Sequence, residues 1–438
     1  MRGNMTRGAA GLGAVGLLAL VTQAGAADPQ GADLKTVLKD EHARDAGHWI
    51  YNDLKAGFSE AEKTGRPLLV TFRCVPCKAC GAFDGEVAQG SEIIKKLVAE
   101  HFVAVRQVEM KGVDLSQFQF DHDLNWAAMF LNADGTVYGR YGTQSERGPD
   151  AYNSIKGLST ALKRVLELHE AYPGNAKGFA GKKGLPKPYA TAMEMPGLER
   201  KVRLRGPTQR NNCIHCHNIH DAEHAHAIKT GAFRLDMLWR YPLPENIGLQ
   251  IDPDDGRTVK SVQPDSPAAK AGLRAKDELT HAGGQIIISI ADIQWVLHGL
   301  PNTQASVALT IRRGDEKLDT IVTLPAGWKK TDISWRGSMW ALPPSPGLWL
   351  KELASAEKQR RGIGRDELAL EIRGLFKPKI RASGLKERDV IVAYDGERGS
   401  VSPGKFHAYL RLNHHRPGSE LDLELLRGDQ RVKLKVKF

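Results

Sequence analysis

Apolar positions along this chain fall into blocks with different spacing. Ala9 to Val21 is a glycine-containing apolar run behind Arg2 and Arg7. From Ala32 to Val165 helix-like and strand-like spacing alternate. Trp49, Leu54, Phe58 and Ala61 recur at helical intervals and predict a helix over His48 to Lys63, ended by Gly65. Pro67 to Phe72 is a short continuous apolar run, the pattern of a buried strand. Further strands are predicted at Phe102 to Val108 and Ala127 to Leu131, then, after a turn at Asn132 to Gly135, through Val137 and Tyr138. Beyond Pro242 and Pro244 the pattern becomes short strands between Gly and Asp turns. A helix is predicted over Ile290 to Leu297, with strands at Val307 to Arg312 and Asp319 to Leu324. It returns weakly, with a helix near Phe406 to Leu412 and strands at Leu421 to Leu426 and Val432 to Val436.

The N-terminal run, with Ala24-Gly25-Ala26 after it, has the form of a secretory signal over residues 1–26. An uncleaved anchor is the other use of such a run. No other apolar stretch approaches membrane-spanning length, so the mature protein is expected in the periplasm or secreted, with no transmembrane span after cleavage. The remaining blocks are 32–172, a Gly/Lys/Pro-rich linker at Gly174 to Tyr189, 190–240, 244–328 and 345–438. A chain of 438 residues with 41% hydrophobic content can bury several cores. Its formal charge of +11 falls to about +9 once Arg2 and Arg7 leave. Acidic residues are interspersed and export argues against nucleic acid, so the excess reads as a solvated basic surface. Five cysteines cannot form a framework in a chain this long, and they sit in two clusters, which points to chemistry.

The first cluster, Cys74-Val75-Pro76-Cys77-Lys78-Ala79-Cys80, follows the buried strand and precedes a predicted helix. A thiol at a helix N-terminus faces unpaired amide groups, which stabilise its thiolate. Strand, C-x-x-C, helix resembles the thioredoxin fold, and the resemblance implies that Cys74 attacks and Cys77 resolves in exchange with redox partner proteins. A structural disulfide or a metal site are the other uses of the pair. Arg73 replaces the usual tryptophan and is expected to add its charge to the Cys74 thiolate. The family's cis-proline is missing before the Ala127 to Leu131 strand, where the chain reads Asn125-Trp126-Ala127-Ala128. Cys80, one helical turn beyond Cys77, is either a competing resolving thiol or a small buried hydrophobe.

The second cluster, Cys213-Ile214-His215-Cys216-His217, carries the attachment signature of c-type haem. Covalent haem c would take Cys213 and Cys216 as thioether anchors and His217 as axial ligand. The second ligand is open among Met193, Met195, Met237, His220, His224 and His226. A plain disulfide is a competing reading, and so is zinc, because His215, His220, His224 and His226 crowd the same region.

Asn246-Ile247-Gly248-Leu249-Gln250-Ile251, followed by Ser266-Pro267-Ala268-Ala269-Lys270-Ala271-Gly272-Leu273, resembles a PDZ domain of the bacterial protease-associated type. The resemblance implies capture of a chain end, with Gly248, Leu249 and Gln250 forming the carboxylate loop and Ile293 and Val296 facing the groove. A structural module without peptide is the alternative. Ala382-Ser383-Gly384-Leu385 with Asp389 echoes Lys270 to Leu273 with Asp277, giving a second, degenerate PDZ-like repeat. No G-x-S-x-G and no H-E-x-x-H occurs, which argues against a protease.

The fold class expected is therefore multidomain α/β plus mainly β: a thioredoxin-like domain, a short helical haem segment and two PDZ-like domains. The combination resembles exported thioredoxin/PDZ proteins of planctomycete type. It implies a periplasmic thiol-disulfide and electron-transfer protein whose partners are exported or envelope proteins, or else a non-enzymatic redox-sensing scaffold that binds protein C-termini.

Overall fold

The computed structural model describes residues 30–43, 48–75 and 81–438. The expected signal segment, Cys77 and Cys80 lie outside the described residues. No helix among those described is long and apolar enough to cross a membrane.

The N-terminal half is built on a five-stranded sheet in the order β1-β3-β2-β4-β5. Its strands are β1 (Trp49–Tyr51), β2 (Leu68–Arg73), β3 (Val103–Gln107), β4 (Trp126–Leu131) and β5 (Val137–Tyr141). β2 lies at the centre, parallel to β3 and antiparallel to β4, and all six of its residues are buried. This is why it reads as an unbroken apolar run. Helices α1 (Gln30–Leu38), α2 (Leu54–Thr64), α3 (Gly81–Gly85), α4 (Glu92–His101) and α5 (Ile155–Glu170) surround it. The helix expected from His48 starts later: Trp49 to Tyr51 pair with β3 as an edge strand, and Asp53 caps α2 by accepting a bond from the Ala56 amide. Gly65 ends α2 in the left-handed region, at φ 69°. Gly57 lets α2 lie close on the sheet, since a Cβ there would stand 2.3 Å from Val105.

Alternation along the strands separates two cores. Leu69, Ala104, Ala128 and Phe130 face α4 and α5. Leu68, Val70, Phe72, Val105 and Met129 face α2 and, beside it, Ala192, Met195, Leu198, Ile214, Ile219 and Ala222. The segment over 190–240, including α6 (Lys201–Leu204) and α7 (His217–Thr230), thus shares a core with the sheet. The pattern suggested a separate unit because its own apolar residues are few, and they are few because the sheet supplies the other side.

The next unit has strands β6 (Leu249–Ile251), β7 (Val259–Val262), β8 (Glu278–Ala282), β9 (Gln285–Ile286), β10 (Ala305–Arg313) and β11 (Glu316–Leu324). β6 and β7 form a ribbon, the others a sheet in the order β11-β10-β8-β9, with α8 (Pro267–Lys270) and α9 (Ile290–Gly299). α9 packs on β5 of the first sheet. Gly139 makes this possible, because a Cβ there would meet Ile288 at 2.3 Å and Asp292 at 2.8 Å. Lys182 Nζ lies 2.8 Å from Asp292 Oδ2, both side chains almost wholly buried.

The C-terminal unit is an antiparallel sheet in the order β12-β13-β14-β15-β16. Its strands are β12 (Leu348–Glu352), β13 (Leu370–Leu375), β14 (Val390–Tyr394), β15 (Glu420–Arg427) and β16 (Gln430–Lys437), with α10 (Ser355–Arg360), α11 (Pro378–Arg381) and α12 (Pro403–Asn413). It repeats one device of the unit before it. Arg313 grips both oxygens of Asp277 and donates to the Gly272 carbonyl; Arg427 does the same to Asp389 and the Gly384 carbonyl. The preceding positive-φ residues, Lys276 and Arg388, also correspond, at 73° and 71°. The residues that echo one another in sequence, Gly272 with Asp277 and Gly384 with Asp389, thus make the same contacts.

Candidate thiol site

Cys74 follows the last residue of the central strand β2 and shares a small cavity with Ile214, His215 and Cys216. Beneath it lies a buried charge network. Arg73 and Arg106 both pair with Asp40 and Asp84, and the Trp126 indole donates to Asp84. Burial opposes ionisation of Asp40, but Arg106 and then Arg73 hold its carboxyl below the ordinary value. The expectation that Arg73 serves the thiolate is corrected here: its side chain turns into the core and its charge is committed to the two carboxylates.

The group beside Cys74 is an imidazole. His215 Nδ1 lies 2.7 Å from the Cys74 sulfur. Burial, then the nearby His217, lower the His215 pKa. Cys216 lines the same small cavity, about 10 Å³, as Cys74 and His215. Its thiol is pushed up by burial and then by Cys74. Cys213 is buried beside Leu38, Tyr51 and Val108, its Sγ donates to the Gln209 carbonyl at 3.2 Å, and it lines a separate cavity of about 320 Å³ whose walls include Leu198, Arg203, Asn218 and Asp221. Burial, then Glu109, raise its thiol to about 12. His215 belongs to the walls of both cavities and so separates them.

The segment is held by the thioredoxin-like sheet. Glu109, just past β3, accepts bonds from the Ile214 amide at 3.2 Å and the Thr208 hydroxyl at 2.9 Å, and the Met110 amide donates to the Ile214 carbonyl. Cys216 stands immediately before α7, its side chain making no capping bond. His217 Nδ1 lies 3.1 Å from Asp221, and its ring rests on Gly337. Burial opposes the charged ring, but the bond and charge of Asp221 prevail and raise the His217 pKa.

The expected haem residues are brought together unevenly. Cys213 and Cys216 line different cavities, and His217 lines neither. Haem c spanning both sulfurs does not fit this arrangement unless Cys216 turns away from Cys74. Nor does any expected second ligand line the cavity beside Cys213. Met195 is in the shared core and Met193 packs against it; Met237 is half-buried and His226 exposed. His220 lies between Asp121 and Glu223, and His224 is 2% exposed with neither ring nitrogen bonded.

Asp121, Asp123 and His220 come within metal-binding reach of one another. Arg336 already bridges the two carboxylates, at 2.8 Å from Asp121 and 3.1 Å from Asp123, and the Ser338 amide donates to Asp123. A guanidinium thus supplies the positive charge, and the cluster fastens the linker before β12 to the first domain. Glu109, Asp40, Asp84 and Arg106 were not singled out by sequence reasoning, since isolated acids and an arginine carry no motif. His215 was visible only as one of several crowded histidines.

In the β6 unit, Gly248 has φ 88° and a Cβ on it would meet Ser266 at 2.1 Å, so only glycine suits this turn. Leu249 is buried and Gln250 exposed, bonded to Ser261. Ile293 and Val296 depart from expectation: both lie in the core of the unit, 1% and 6% exposed. α9 is covered by its own sheet on one side and by β5 on the other, which leaves these two positions inside rather than on an open groove.

Residues 49–133 match the thioredoxin-like family and residues 246–324 the PDZ domain family. The magnetosome formation protease MamE of Magnetospirillum gryphiswaldense is 32% identical over 88 residues, which is 20% of this chain and 11% of that protein. The chain therefore spans about one ninth of that curated relative. Among solved structures, the HtrA-type protease AlgW with tripeptide is 24% identical, covering 20% of this chain and 29% of that one, with a TM-score of 0.18. The same protease with decapeptide is 16% identical, covering 32% and 50%, also at 0.18. The chain carries a thioredoxin-like domain and a PDZ domain, a pairing that supports redox and protein-binding roles.

Proposed function

We propose that this chain is an exported, periplasmic thiol-disulfide exchange protein, in which Cys74 and Cys77 form the exchanging pair and the PDZ domain brings in an envelope protein. The observation that carries the reading is the His215 imidazole 2.7 Å from the Cys74 sulfur, at the end of the central strand of a thioredoxin-like sheet. An imidazole in that place takes the thiol proton or steadies the thiolate, and thiolate is the attacking species. The C-terminal unit is a second, degenerate PDZ-like module, supported by the repeated Arg-Asp clamp. Insulin or partner-disulfide reduction by the purified chain, lost in Cys74→Ser, is the expected result. Unchanged reduction in that variant removes the oxidoreductase reading and leaves the scaffold that senses redox state while binding C-termini, which the missing cis-proline favours.

A second reading retains covalent haem c on Cys213 and Cys216, with His217 on the iron. In its favour, Asp221 holds His217 Nδ1 and so leaves Nε2 as the nitrogen free to ligate. When bound, such a group supplies one-electron transfer. The visible spectrum of protein made in a host that matures cytochromes decides: c-type absorption that survives denaturation supports it, and a colourless product ends it.

A further inference from the structure

The C-x-x-C of the haem-like motif lies across a cavity of about 10 Å³ from the thioredoxin-like cysteine, room for little more than one water. Arg73, Cys74, His215 and Cys216 all line it. The contact is fixed from both sides: Glu109 and Met110 pin Ile214 against the strand end, and Ile219 anchors α7 in the sheet's core. Cys213, by contrast, lines the larger cavity of about 320 Å³ on the far side of His215.

We infer that Cys216 is a resolving thiol for Cys74, and that Cys213 then relieves it, so that oxidising equivalents pass through the chain from one cavity to the other. The inference rests on the reading of Cys74 as an exchanging thiol. In the first step, Cys74 thiolate opens a partner disulfide, forming a Cys74–partner bond and releasing one partner thiolate. Next, Cys216 thiolate attacks the Cys74 sulfur. The Cys74–partner bond breaks, the Cys74–Cys216 bond forms, and the electron pair leaves on the second partner sulfur. The partner disulfide has then gained two electrons and two protons as two thiols. Cys74 and Cys216 have lost the same two electrons and two protons as one disulfide. Once oxidised Cys216 turns from the small cavity toward Cys213, attack of Cys213 on it gives a Cys213–Cys216 disulfide, and Cys74 leaves as thiolate, ready for another turn. The Cys213–Cys216 disulfide stands at the cavity through which a reducing thiol protein would meet it.

The test uses the full chain, reduced and then exposed to oxidised glutathione, with quenching by N-ethylmaleimide and mapping of non-reduced peptides by mass spectrometry. A linked peptide pair containing Cys74 and Cys216 is expected. It should accumulate in Cys213→Ser, which blocks the last step, and vanish in Cys216→Ser, where the Cys74–glutathione adduct lives longer because only Cys77 is left to resolve it. Near-ultraviolet circular dichroism confirms that each variant is folded, and Cys213→Ala and Cys216→Ala serve if a serine variant is not. Glutathione adducts at Cys74 that clear equally fast in Cys216→Ser, with no Cys74–Cys216 pair, overturn the inference while leaving Cys74 exchange intact. A Cys74 that never takes up glutathione removes both. Peptides of Cys213 and Cys216 carrying thioether-bound haem overturn it too, because neither sulfur is then available.

Discussion

The Cys74 sulfur and His215 Nδ1 lie 2.7 Å apart, although 141 positions separate them in the chain. The contact joins the thioredoxin-like strand to the segment that follows the linker, so the chemistry of Cys74 depends on residues outside the matched thioredoxin-like region. Removing the imidazole takes away a proton acceptor at hydrogen-bond distance from the thiol. His215→Ala is expected to slow alkylation of Cys74 at pH 7 by about ten-fold, the factor carried by one pKa unit. The measurement is the second-order rate with iodoacetamide, read at the Cys74 peptide. An unchanged rate would mean that the imidazole neither accepts the proton nor steadies the thiolate.

His224 and His122 give the fold an acid sensitivity of definite sign. Burial, then Arg240, lower His224 to about 3, and burial, then His220, lower His122 to about 3. Unfolded chain binds a proton at each near pH 6.5, whereas folded chain does not until near pH 3. Between those values the unfolded state holds more protons, so stability falls as pH falls, by up to about 1.4 kcal/mol per pH unit for each histidine. Since neither ring nitrogen of His224 is bonded, an apolar side chain loses nothing there. His224→Leu should leave stability at pH 7 unchanged or higher and flatten the decline between pH 6 and 4, as read by urea midpoints. A steep loss at pH 7 would show that the ring has a partner or ligand.

The first sheet was legible because β2 is central and buried on both faces, which writes an unbroken apolar run into Leu68 to Phe72. Gly248 and Gly272 were legible because their turns tolerate little else. What escaped the sequence is pairing at a distance. Nothing local tells that Arg73 turns inward to Asp40 and Asp84, that Glu109 holds Ile214, or that Met195 and Ile219 fill a core belonging to β2 and β3. The C-x-x-C-H motif names five neighbours, yet the fold sends Cys213 and Cys216 to different cavities. The PDZ resemblance likewise assigned Ile293 and Val296 to a groove, because the sequence of α9 reads the same whether its second apolar face meets a peptide or another domain.

That last point has a measurable consequence. Ile293 is 1% exposed within the PDZ core, so truncation leaves a cavity that neighbours on both sides cannot readily fill. Ile293→Ala should cost about 2–5 kcal/mol of stability, measured by chemical denaturation. A groove-lining residue would behave otherwise: stability would hardly change, while affinity for free C-terminal peptides would fall.

Asp292 is the most deeply buried carboxylate among several polar contacts, Arg164 with Asp255 and Thr143 with Gln294 among them, at the junction between the thioredoxin-like and PDZ domains. Its Oδ1 accepts the Arg140 amide at 3.1 Å, its Oδ2 accepts the Ile288 amide at 3.1 Å, and Lys182 Nζ lies 2.8 Å away in a site closed to water. Burial lowers the Lys182 pKa, and Asp292 opposes that shift. Arg140 adds a second cation nearby, stacked on Trp295 with its guanidinium carbon 3.6 Å from the ring. Deleting the carboxylate would strand the Lys182 ammonium and two amides without acceptors. Asp292→Ala should therefore cost about 3–5 kcal/mol, more than any surface pair in the chain, because the partner left behind is charged and buried. Lys182→Met with Asp292→Leu, which replaces both charges by apolar groups, should recover much of that loss. Urea denaturation of the two variants, with limited proteolysis across 173–189 and 242–248 as a readout of domain docking, checks both expectations. Equal stability of the single and double variants would mean that the lysine finds water or another acceptor when Asp292 is gone.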